Sequence, residues 1–150
     1  MKTLVVFALS YLLVSTNAAA QSSELIGTWR LVSFVSLSAS GEAKNFFESG
    51  AHGFISFGRD GRMFLIIAKN GRPKLRDYRT LSDEQSAELI RTVYAYAGTY
   101  TFDGKEVKYH VDISWNESWT GRDDYRDARF EGKRLILSTS EIRQTWEKVE

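Results

Sequence analysis

Between Lys108 and Trp115 the chain reads KYHVDISW, with His110, Asp112 and Ser114 at every second position. A histidine, a carboxylate and a hydroxyl are the residue types of acid–base and nucleophilic catalysis. On a β-strand, however, positions i and i+2 lie about 7 Å apart, too far for the direct hydrogen bonds a triad needs. Spacing rejects a triad of these three and leaves His110 as a lone acid or base that takes a partner from another strand. The other histidine, His52, is remote in sequence, and the chain has no Cys, so no metal cage is expected. There is no G-x-S-x-G elbow, P-loop or H-E-x-x-H, and no cofactor is expected.

Recognition is the other chemistry these residues offer. Trp115 and Trp119 flank the end of the same strand, where two indoles line an apolar cavity or divide between rim and core. Asn116-Glu117-Ser118 fits the glycosylation sequon, which matters only in a cell with that machinery.

The elements that must position these groups are short β-prone runs punctuated by Gly-containing turns. Gly27–Leu37 is the first strand, and the polar segment 38–51 reads as a loop. Hairpins turn at Asp60-Gly61, Asp103-Gly104 and Glu131-Gly132, and a last strand, IRQTWEKV, follows. One helix is expected from Ser82, a candidate N-cap, with Asp83 and Glu84 in its first turn and Gly98 just past its end. Ala87, Ile90, Val93 and Tyr94 would form its packing stripe, and Tyr94 and Tyr96 read as packing residues. The fold class is therefore all-β, with one short helix. About eight sequential antiparallel strands close most simply into an up-and-down barrel, because closure removes the unpaired edges.

Turn positions set register, and register assigns faces. A two-residue turn at Asp103-Gly104 pairs Phe102 with Lys105 and Tyr100 with Val107. Tyr100, Phe102, Val107, Tyr109, Val111 and Ile113 then share an inward face, and His110, Asp112 and Ser114 face out. A turn at Glu131-Gly132 places Asp124, Arg126, Ala128 and Phe130 with Leu135 and Leu137 on the more apolar side. An inward Arg126 must reach the rim, meet a carboxylate or meet a ligand anion.

The N-terminus, MKTLVVFALSYLLVSTNAAAQ, has a basic start, an apolar run from Leu4 to Val14 and an A-x-A site. Residues 1–20 are read as a cleaved secretory signal and 21–150 as one domain. The run is shorter than the ~20 apolar residues of a membrane span, and no Cys stands at the cut for a lipid anchor. The expected location is periplasmic or secreted, with no membrane span in the mature chain. Removing Lys2 with the signal leaves 19 basic against 19 acidic residues, which gives no electrostatic case for nucleic acid or an anionic membrane. Without disulfides the fold relies on its core, feasible at about 130 residues.

LIGTWRLVSF, GFISFGRDGRM, YAYAGTYTFDGKEVKYHVDISWNESWTG and the closing GKRLILST…TWEKV, taken in order, resemble the lipocalin-like domain family of small, mostly bacterial and fungal proteins. The resemblance spans nearly all of residues 25–149. It implies a lipocalin- or calycin-type barrel with Trp29 closing the base. Family members tend to carry a histidine, an acidic residue and a serine at alternate positions of the central strand, then a tryptophan and glycine, then an arginine; His110, Asp112, Ser114, Trp119, Gly121 and Arg126 match. Tyr109 stands where a second histidine is frequent, and Asn116 where proline is common. The resemblance favours an inward polar trio with Arg126 as charge partner of Asp112, whereas turn register favours an outward one; both placements stand open. The expected function is binding of a small apolar or amphipathic molecule in the barrel by His110, Asp112, Ser114, Trp119, Arg126 and Tyr100. The alternatives are an isomerase, cyclase or hydratase using His110, or an exported scaffold or interaction module without a ligand.

Overall fold

The computed structural model describes residues 23–149, so the signal segment expected at 1–20 lies outside the described residues. Nine strands, β1 (Gly27–Leu37), β2 (Ala43–Asn45), β3 (Ala51–Phe57), β4 (Arg62–Lys69), β5 (Val93–Phe102), β6 (Glu106–Ser114), β7 (Asp123–Glu131), β8 (Arg134–Ser138) and β9 (Ile142–Lys148), follow one another in an antiparallel meander. β9 returns to pair with β1 from Trp29↔Lys148 to Ser36↔Ile142 and closes an eight-strand barrel. The extra strand is β2, a three-residue addition to the end of β1 inside the segment expected to be a loop.

The helix expected from Ser82, α1 (Asp83–Arg91), begins as expected, and residues 23–25 at the start of the described chain are helical as well. The Ser82 side chain accepts from the Gln85 N–H while the Gln85 side chain accepts from the Ser82 N–H, a complete capping box. Its end is corrected: Val93, Tyr94 and Tyr96 belong to β5, where Val93–Thr99 pair with Arg62–Ala68 of β4. The VYAYA run alternates with period two and offers aromatic and β-branched side chains, so sheet pairing outcompetes another helical turn. The expected stripe does not pack either; α1 buries no residue, and Ile90 is exposed.

Both predicted hairpin registers are off by two residues. Phe102 pairs with Val107, because the Asp103 carboxylate accepts from the Lys105 and Glu106 N–H groups and widens the turn. Phe130 pairs with Leu135 across a turn at Gly132-Lys133. A shift of two preserves every face assignment, since the side-chain period of a strand is also two.

Two β-bulges do change faces. Between β1 and β9 the register slips at Val32, so that Phe34, three residues after buried Leu31, turns inward where strict alternation would place Ser33. Between β5 and β6, Ala97 pairs with Ile113 but Gly98 with Val111, so Asp112 is the extra residue and Ile113 is turned out, 64% exposed, contrary to its expected inward place. Gly98 permits this bulge: a Cβ there would lie 1.9 Å from the His110 carbonyl oxygen. The core fills the barrel below, with Trp29, Phe57, Tyr109, Leu135 and Trp146 almost fully buried. Trp29 lies at the base as expected, its Nε1 donating to the Leu25 carbonyl.

Candidate functional site

The trio that opened the sequence question does not form a site. His110 lies on the outer face, its side chain 49% exposed, with Nδ1 2.8 Å from Asp123 Oδ1. Lys108 Nζ approaches the other Asp123 oxygen at 2.7 Å, and Lys108 and His110 together hold the Asp123 carboxyl below its ordinary range. Asp112 also faces out and pairs with Arg62 at 3.1 Å, not with Arg126. Ser114 stands opposite Tyr96 beyond the bulge, half-buried, and its Oγ accepts the Asn116 N–H at 3.2 Å. Tyr100 is equally committed: near the base it packs on Phe57 and donates its hydroxyl to the Gly58 carbonyl at 2.8 Å.

Arg126 and Trp119 are the two expected residues that border a cavity together. The cavity occupies about 490 Å³ at the open end of the barrel. Arg126 is 7% exposed and satisfies the second option that its inward placement left open: its Nη1 donates to Asp124 Oδ1 and, at 2.9 Å, to the Tyr125 carbonyl. Asp124 faces inward beside it because the two are separated by two positions on β7. A guanidinium in this position needs such a partner, since an unpaired buried charge costs several kcal/mol.

Aromatic rings wall the cavity. Phe34 and Phe46 stack at 4.2 Å with an interplanar angle of 4°. Tyr94 meets both rings edge-on, and Trp119 lies 6.0 Å from Tyr94. Trp115 packs on Tyr94 at 4.3 Å and on Trp119 at 5.1 Å, so both indoles belong to the mouth cluster, but only Trp119 borders the cavity. Phe34 and Phe46 were not expected at a site, whereas Tyr94 was expected as a packing residue and Asp124 as an inward neighbour of Arg126. Phe34 is delivered by the β1 bulge, which has no sequence mark. Phe46 did carry a signal, the Phe-Phe pair at 46–47 in an otherwise polar segment.

Deeper inside, Tyr96 and Tyr109 are buried, and burial raises both phenol pKa values, keeping the groups neutral. The Tyr109 hydroxyl has no partner among the described residues. A second concavity, about 580 Å³, lies on the outer wall, floored by Ala95 and Ala97 and flanked by Phe54, Phe64, Ile66 and Ile113. It offers apolar surface without a buried charge.

The family model for the lipocalin-like domain matches residues 26–150, and the chain belongs to that family. Among solved structures, it is similar to an uncharacterized protein from Bacteroides eggerthii DSM 20697, with a TM-score of 0.47 and 12% identity over 83% of this chain and 99% of that one. It is also similar to the lipoprotein YedD from Klebsiella pneumoniae subsp. pneumoniae MGH 78578, with a TM-score of 0.40 and 14% identity over 84% of this chain and 72% of that one. None of the curated proteins matches the chain. No helix among the described residues is long and apolar enough to cross a membrane.

Proposed function

We propose that this protein is exported as residues 21–150 and binds a small, partly apolar molecule at the mouth of its barrel. The observation that carries this reading is the mouth cavity, which combines aromatic walls with a buried Arg126–Asp124 pair. Ligand sites are typically apolar concavities with a few fixed polar groups, and this cavity has that composition. Arg126 and Trp119 are retained from the expected set and joined by Phe34, Phe46 and Tyr94. His110, Asp112, Ser114 and Tyr100 do not border the cavity, which weighs against an enzyme built on His110. The cavity itself weighs against a ligand-free scaffold.

The test is purification of mature protein from its own host, with native mass spectrometry for co-purifying adducts and thermal shift against a lipid and metabolite panel. An adduct or a rise in melting temperature, abolished by Trp119→Ala with Phe46→Ala, supports the reading. No adduct and no shift across the panel removes it. Export is tested by the intact mass of protein recovered outside the cytoplasm, expected to begin at Gln21.

A further inference from the structure

Arg126 carries a feature that holding Asp124 does not require. A guanidinium presents five N–H donors in a rigid plane. Nη1 is spent on Asp124 and the Tyr125 carbonyl, whereas Nε and Nη2 donate to no group among the described residues. These two form the side-on edge whose parallel N–H vectors match the two oxygens of a carboxylate. The residue is more than nine-tenths buried and borders the mouth cavity. Neither nitrogen is sealed off as the Tyr109 hydroxyl is, so both open onto the cavity, where a ligand anion can accept from the two donors at once.

We infer, on the basis of the binding function proposed above, that the ligand is an organic acid whose carboxylate sits side-on against the Nε/Nη2 edge of Arg126. Its apolar body lies between the stacked Phe34–Phe46 pair, Tyr94 and Trp119. Long-range attraction is not the basis of this selectivity. Asp123 is neutralised by Lys108, Asp124 by Arg126, and the remaining mouth charges, Arg122 and Glu141, oppose each other. The preference arises from the fork and its burial, so affinity for the acid depends only weakly on salt. The rival is an amine on Asp124. It is disfavoured because the Asp124 side chain is 30% exposed, and its Oδ1 already accepts from Arg126 and from the Tyr125 N–H.

Three probes with one body separate the cases: 2-naphthoate, its methyl ester and 2-(aminomethyl)naphthalene, titrated calorimetrically into mature protein at 50 and 300 mM salt. The acid is expected to bind at least tenfold more tightly than either twin, with less than a threefold change across the salt range. Arg126→Lys, which keeps the charge but loses the fork, should bring the acid to the level of the ester and leave the ester unchanged. Equal binding of acid and ester, or an Arg126→Lys protein that still prefers the acid, overturns the acid assignment while the cavity reading stands. Preference for the amine also overturns it and makes Asp124 the anchor, and binding of none of the three to the cavity ends both readings. If Arg126→Lys does not fold, the acid-to-ester ratio on the native protein decides alone.

Discussion

Tyr109 gives the clearest residue-scale expectation, because its hydroxyl is buried without an acceptor. Removing an unsatisfied buried hydroxyl without changing shape is neutral or favourable, so Tyr109→Phe should raise stability by about 1 kcal/mol in urea denaturation at pH 7. The same residue governs the alkaline limit. Unfolded, Tyr96 and Tyr109 ionise near pH 10; folded, burial holds both above that value. Below pH 10 both states keep the protons and stability is flat. Above it only the unfolded chain releases them, and stability falls as pH rises. Burial also raises Tyr94 and Tyr100, so Tyr109→Phe should lower that slope by roughly a quarter, read from denaturation midpoints between about pH 9.5 and 11. The inward side of Arg126 was legible in the sequence because the error in turn position was an even number of residues. Its partner Asp124 was on the same face of the same strand; what was missing was any signal that the face dips into a cavity at that point.

At the scale of elements, β5 and α1 carry opposite dependences. Gly98→Ala would drive a methyl into the His110 carbonyl at the bulge, where backbone has little room to yield. A loss of about 3 kcal/mol is expected, seen as a lower melting temperature for the whole barrel. Ser82→Ala removes the hydroxyl that accepts from the Gln85 N–H, leaving the backbone bond from residue 82 to the Gln85 side chain, and should cost the helix about 1 kcal/mol. Because α1 buries no residue, that loss should appear as faster hydrogen exchange over residues 83–91 with an unchanged barrel melting temperature. The start of α1 was readable from its cap. Its end was not, because Gly98 reads equally as a helix stop or as the small residue a bulge requires, and only pairing with β4 separates the two.

For the whole molecule, the closed meander was the most legible feature: from β3 to β9 strand order follows chain order, β1 pairs with β3 past the short β2 at its side, and the β1–β9 seam closes the barrel. The two bulges were not legible, and they decide what the mouth and the outer wall present. Ile113→Lys tests this directly. On an inward face it would bury a charge; on the wall, where Ile113 is turned out, stability should change by no more than about 0.5 kcal/mol. A drop of several kcal/mol would place Ile113 back inside.

One junction has a consequence for how such a chain can diversify. Between Lys69 and Val93 the sequence leaves the barrel, yet Ala68 pairs with Val93, and the Lys69 N–H donates to the Thr92 carbonyl at 3.0 Å. The two ends of this excursion are clasped by the sheet itself, and the cost of closing a longer or shorter loop grows only logarithmically with its length. Asn70 is still tied to Ser49, Gly50 and His52, and residues 71–91 beyond it are thus a cassette carried on a hairpin that is complete without them. Insertions, deletions or grafted sequences can be exchanged there, at the end of the barrel where the cavity opens, without renegotiating any strand pairing.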